Sequence, residues 1–321
     1  MLEELLKRAQ QYDIDTASFG NTNHLPMALI ALDKLGADEN QLEDYFSHYA
    51  SHLVPLSNLT HTAEFDWRDH LGETQLFNDY LNYFETCIHK IGAQQTLTSH
   101  IDPLILGCGA AAFHALIRLS YGIQSNNSKE VAFGLAYLAS HYFPVETPQP
   151  SDLNLKQIVD LALTSMADKD IEGRLISGRM KSVCTEKNFS SINLTPKTLD
   201  LKTLSECVAQ LYLQTNDFTV LHAVTSCHAL RYVLPYVNQQ TRVLRHYWSS
   251  VLVAVLSVSN LKFDLSKTSQ QAATEPTDLT PVLESKDSHV IKLVWSCLDE
   301  YQHYGLAVHL DIIGQMLSEE S

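Results

Sequence analysis

Four histidines stand in apolar surroundings in this 321-residue chain: His24 in "NHLPM", His114 in "AAFHALIRL", and His222 and His228 in "VLHAVTSCHALR". An imidazole taken out of water must find a hydrogen-bond partner or a metal. Each alone reads as a core histidine satisfied by a carbonyl or a side chain. Four together point to imidazoles converging from separate elements on iron, zinc or copper. Lys292 in "HVIKLVW" adds a cation inside an apolar run. As a snorkelling lysine it would cover core with its stem and reach water with its amine. Desolvated instead, it loses affinity for its proton, and the neutral amine can act as a base, form a Schiff base or take up CO2 as a carbamate. A carbamate would give the imidazoles an anionic oxygen ligand, the part a carboxylate plays in two-histidine-one-carboxylate iron sites. Arg118 and Arg231 follow His114 and His228 by four and three residues. Each could hold a substrate anion or pair with a buried acid.

These residues need helices to position them. "HLPMALIALDKLG" sets Pro26 near a helix start and Gly36 past its end, and "QLFNDYLNYFETCIHKIG" repeats the device with Gly92 as the stop. The same periodicity predicts helices at about 2–12, 40–52, 103–121, 128–141, 154–167, 197–214, 217–233, 238–258, 288–303 and 306–318. The expected fold is therefore all-α, a multi-helix globular bundle with a buried polar site between helices. A single domain over 1–321 is the simplest arrangement, with an internal connection at 143–152 and a polar surface excursion over 262–284. On one ideal helix the rings of His222 and His228 would lie roughly 120° apart. Both can serve one site only if the helix breaks near Val224–Ser226 or one ring supports the other from behind.

Composition and motifs exclude several classes. The 37 acidic residues against 22 basic ones give a formal charge of −15, which argues against nucleic acid or an anionic membrane surface as partner. No apolar run approaches the roughly 20 residues of a membrane span, and "MLEELLKRAQQYDID" is not a secretory signal. The six cysteines form no C-x-x-C pair and read as free thiols of a reducing, cytoplasmic compartment. Gly107, Gly109 and Ala112 spell G-x-G-x-x-A, but a dinucleotide site needs a strand before that turn and an acidic residue at the end of the next strand. Glu130 stands near that position inside a helical segment, so the small residues read as places of close helix approach. H-E-x-x-H, G-x-S-x-G and Walker motifs are absent from the sequence.

Five blocks, "NHLPMALIALDKLGA", "FDWRDHLG", "GAAAFHALIRLSYGI", "HAVTSCHALR" and "DSHVIKLVWSCLDEY", taken in order from about residue 20 to 305, together resemble the questin oxidase family. The resemblance implies an all-helical oxygenase that opens rings of aromatic polyketides such as anthraquinones, a Baeyer–Villiger-like outcome described as NADPH-dependent. It further implies a mononuclear non-haem Fe(II) held by four histidines and a carboxylated lysine. By motif these fall on His24, His114, His222, His228 and Lys292, with His141 or His289 as replacements if the His222/His228 spacing excludes one. Lys292 and Arg118 are the expected catalytic residues, and Phe113, Tyr121, Trp67 and Trp295 the possible stacking partners for a flat aromatic or quinone substrate that reacts with O2. Two rivals remain at this level: a non-catalytic helical binding protein with satisfied histidines, and a metal-free NADPH-dependent oxygenase.

Overall fold

The computed structural model describes residues 1–18, 20–57, 65–259, 261 and 274–320. Sixteen α-helices follow one another among them: α1 (Leu2–Ala9), α2 (Leu25–Leu35), α3 (Glu39–Ala50), α4 (Phe77–Ile91), α5 (Ala93–Leu104), α6 (His114–Gln124), α7 (Ser128–Ser140), α8 (Leu155–Met166), α9 (Ile176–Thr185), α10 (Phe189–Ile192), α11 (Leu201–Thr215), α12 (Phe218–Val233), α13 (Gln240–Leu256), α14 (Thr280–Glu284), α15 (Ser288–Tyr304) and α16 (Ala307–Glu320). The all-α class is what the chain adopts. Two small sheets supplement it: β1 (Tyr12–Thr16) runs antiparallel to β2 (Leu53–Pro55), and β3 (Gln149–Ser151) parallel to β4 (Leu194–Pro196). The 143–152 connection thus carries a strand rather than acting as a plain spacer. Of the expected excursion over 262–284, residues 262–273 lie outside the described residues, and its remainder contains α14.

The largest departure from the expected helices is at 103–121. Pro103 sits in the last turn of α5, a short 3-10 turn covers Ile105–Gly107, and the chain then reverses through Ala111, Ala112 and Phe113, all left-handed with φ of 47°, 54° and 68°. The helix restarts only at His114. The G-x-G-x-x-A glycines serve packing here. A Cβ on Gly107 would lie 2.4 Å from the Tyr142 ring, and one on Gly109 would lie 3.3 Å from Ser250.

Helices α6 and α7 pack with almost no space between their backbones. A Cβ on Gly134 would come within 2.4 Å of Leu119 Cα, and one on Gly122 within 2.7 Å of the Val131 nitrogen. Buried between them, Arg118 Nε donates to Glu130 Oε2 at 3.0 Å, and Gln10 of the α1 end donates to the other carboxylate oxygen. The buried apolar residues form one continuous cluster. Helix α2 lies deep within it, with Leu25 to Leu32 buried without interruption, and α6, α12 and α15 also contribute to it. These four helices carry the histidines. No helix among the described residues is long and apolar enough to cross a membrane.

Candidate metal centre

Each histidine of the site sits at a helix start, where backbone geometry fixes its direction. His24 occupies the N-cap of α2, its backbone N–H donating to the Tyr49 hydroxyl. His114 opens α6 directly after the left-handed turn, and its Nδ1 donates to the Ala111 carbonyl at 2.6 Å. His222, in the first turns of α12, donates from Nδ1 to the Phe218 carbonyl at 2.7 Å. His289, in the first turn of α15, holds its Nδ1 3.1 Å from the Asp287 carboxylate, which also caps that helix. In the rings of His114, His222 and His289 the near nitrogen is engaged, which assigns the lone pair to Nε2.

The rings converge. Centroids lie 4.8 Å apart for His24 and His114, 4.7 Å for His114 and His222, 4.6 Å for His24 and His289, and 5.5 Å for His222 and His289. Ligand atoms of His24, His114 and His289 all fall within 4.8 Å of one another. His114 Nε2 and His222 Nε2 are buried with no hydrogen-bond partner, a costly state for a polar atom unless something polar or metallic meets it. His24 uses both nitrogens, with Thr22 Oγ1 at 2.7 Å from Nε2 and Ser288 Oγ at 2.8 Å from Nδ1. Lys292, 2% exposed, brings Nζ to 3.4 Å from that same Nδ1.

The electrostatics favour neutral donors. Burial, then the charge of Lys292, pushes His114 down to about 3. Burial likewise holds His24 and His222 well below the ordinary imidazole range. Burial lowers Lys292 to about 7, with Asp287 opposing the shift. Neutral imidazoles with inward Nε2 lone pairs, beside an amine that gives up its proton easily, are a donor set that fits a transition-metal ion. A cleft of about 670 Å³ reaches this group from the surface, with His24, His114 and His289 in its wall.

The structure leaves other expected site residues elsewhere. His228 does not join the group: α12 runs unbroken through Val224–Ser226, so its ring turns away, with Nε2 2.9 Å from Asp299 and Nδ1 3.1 Å from Ser296. His289 is the fourth imidazole of the group, against His24 and His222, and His141 lies apart, against Tyr137 and Ser140. Arg118 pairs through Nε with Glu130, and Arg231 pairs with Asp299 and Glu300. Trp67 packs on Phe84 and His100, Phe113 on Tyr247, and Trp295 bonds Gln124. None of these three, nor Tyr121, lines the cleft. The aromatic side chains that do line it are Tyr49 and Phe218, and sequence reasoning missed Phe218 because it is a lone aromatic beside a capping aspartate. The signal for His289 was its place three residues before Lys292, on the same face of one helix.

The profile of the questin oxidase-like family matches residues 21–297, a span that includes every residue of this group. The chain belongs to the questin oxidase-like family. Among curated proteins it is similar to a Baeyer-Villiger monooxygenase of Cryptosporiopsis sp. (strain 8999), at 23% identity over 150 residues, and to a Baeyer-Villiger oxidase of Pestalotiopsis fici, at 22% over 152 residues. Each match covers 43% of this chain, and it spans 34% of the length of the relative. The span matched by the family thus contains a group of four histidines, three of them buried, with the buried Lys292 beside it.

Proposed function

We propose that this protein is an oxygenase-type oxidoreductase that uses O2 to open a ring of an aromatic or quinone substrate, a Baeyer–Villiger-like outcome, at a mononuclear non-haem iron. The observation that carries the reading is the pair of buried, partnerless Nε2 atoms of His114 and His222, each aimed by a backbone carbonyl behind it. Family membership and the names of the two relatives support the reaction class. In this reading His24, His114, His222 and His289 would hold the metal, with Lys292, as its carbamate, supplying an anionic oxygen. Iron, if held by these residues, would supply the redox chemistry that lets O2 react with an organic ring. One oxygen atom enters the substrate beside a carbonyl and the other leaves as water, with NADPH supplying the two electrons as a second substrate.

The chain's own residues do the rest. Asp287 and the Ala111 and Phe218 carbonyls hold three imidazoles in one tautomer, so ligand geometry is set before a metal arrives. Burial of Lys292 keeps its amine available to CO2. The apolar core to which α2, α6, α12 and α15 contribute keeps the rings of His24, His114 and His222 buried away from bulk water.

The test is metal content by plasma mass spectrometry on untagged, anaerobically purified protein, alongside His114→Ala and Lys292→Ala. Near-stoichiometric iron in the wild type, lost in both variants, is the expected result. A folded wild type that takes up no iron when supplied would remove the iron mechanism and favour a metal-free oxygenase or a binding protein.

A further inference from the structure

The wall of the cleft that leads to the histidines has the opposite sign from the rest of the chain. The protein carries a formal charge of −15, yet the lysine, arginine and carboxylate side chains along this wall are Arg174, Arg179 and Lys286 against the single carboxylate of Asp287. That carboxylate is already committed, to the N-terminus of α15 and to His289. Arg179 is held in place, its Nε donating to the Ser257 carbonyl at 3.1 Å. Phe218 stands in the same wall with 52% of its surface exposed and its ring edge-on to both His222 and His289, at 4.8 Å and 4.7 Å between centroids. An exposed aromatic ring in a concave wall is a surface for another flat ring, and an anchored guanidinium is the natural partner of a planar, two-oxygen anion.

We propose that the substrate of this site is an aromatic carboxylate, its ring laid on Phe218 next to the histidine group and its carboxylate held by Arg179 and Lys286 at the outer wall. The proposal rests on the oxygenase reading for the word substrate. The binding it asserts does not need turnover. Within an acidic protein, such a local cationic wall also selects for anions during approach, an effect that weakens as salt rises.

The experiment titrates anthraquinone-2-carboxylate and its neutral analogue anthraquinone-2-carboxamide into the full-length protein by calorimetry at low and at high salt, with iron content measured on the same samples. The wild type should bind the carboxylate roughly tenfold or more tighter than the amide, a charge-assisted contact being of that size. Added salt should narrow the preference. Lys286→Gln, an exposed position, should reduce it, Arg179→Gln should reduce it further, and Phe218→Ala should weaken both ligands alike. Equal binding of the two compounds, a preference that survives in Lys286→Gln and Arg179→Gln together, or no binding of either compound would overturn the proposal. Loss of the preference in iron-loaded protein would condemn the carboxylate assignment alone. A preserved preference in protein that never takes up iron would leave the acid-binding cleft standing and remove the oxygenase.

Discussion

His222 and His228 share helix α12 and a buried setting, yet their environments make opposite demands on them. His222 Nε2 is buried without a partner, whereas both nitrogens of His228 are taken by Asp299 and Ser296. His222→Ala should therefore abolish iron binding. His228→Ala should keep iron and instead destabilise the fold by about 2 kcal/mol, because it strips one partner from a buried charged network. Urea unfolding with metal analysis on the same samples separates the two. An iron-free His228→Ala that unfolds like wild type would reverse the assignment. The sequence displayed the chemistry of both rings and their angular separation on an ideal helix, but not which of them faces the group. Six residues of unbroken helix turn one imidazole roughly 120° from the other, and only the continuity of α12 decides whether that turn is taken up. His141 makes a different prediction. Burial, and after it the charge of Lys181, lowers it from 6.5 to about 4. Between those values the unfolded chain binds a proton that the folded chain refuses, so the stability it allows is fully present above about 6.5 and is lost as pH falls toward about 4. Denaturant unfolding at about pH 7.5 and about pH 5 should show a smaller acid loss in His141→Gln than in wild type. Equal losses would mean that His141 titrates normally.

At the level of elements, the histidines depend on how helices begin. Three successive non-glycine residues in left-handed conformation precede His114, a backbone cost of roughly 1–2 kcal/mol each that the surrounding packing must offset. Periodicity across 103–121 carried apolar residues through this turn without interruption, so the break was not legible there, while Pro103 and the two glycines hinted at it only weakly. In α12, α13 and α15 the long apolar periods end at a glycine, a proline or a polar residue, and the helix bounds follow that pattern within a few residues. Close packing of α6 on α7 gives this scale its prediction. Gly134→Ala would drive a methyl against Leu119 backbone at 2.4 Å and should cost about 2–3 kcal/mol, because backbone cannot yield as a side-chain tip can. Gly314→Ala in α16 meets nothing within 4 Å and should stabilise by about 0.5–1 kcal/mol through the unfolded chain. The two variants, compared by thermal unfolding, should move the midpoint in opposite directions. Equal effects would mean that α6 and α7 do not pack this closely.

Across the whole molecule, the proposed ligands come from residues 24, 114, 222, 289 and 292, so the group joins α2, α6, α12 and α15, segments spread over most of the chain. Such a group cannot exist in the unfolded chain, where its members are far apart, and a metal bound there stabilises the fold by mass action. At free iron near 100 times its dissociation constant the gain should be about 2.7 kcal/mol. Anaerobic thermal unfolding of protein stripped with a chelator, with and without ferrous iron, should therefore show a clear rise in midpoint for the wild type and none for His222→Ala. The rise should also depend on bicarbonate if Lys292 contributes as a carbamate, since that ligand forms only from the neutral amine and CO2. An iron-dependent rise that ignores bicarbonate and survives Lys292→Gln would leave the imidazoles as the whole of the site. In that case the low proton affinity of Lys292 would come from its burial without making it a ligand.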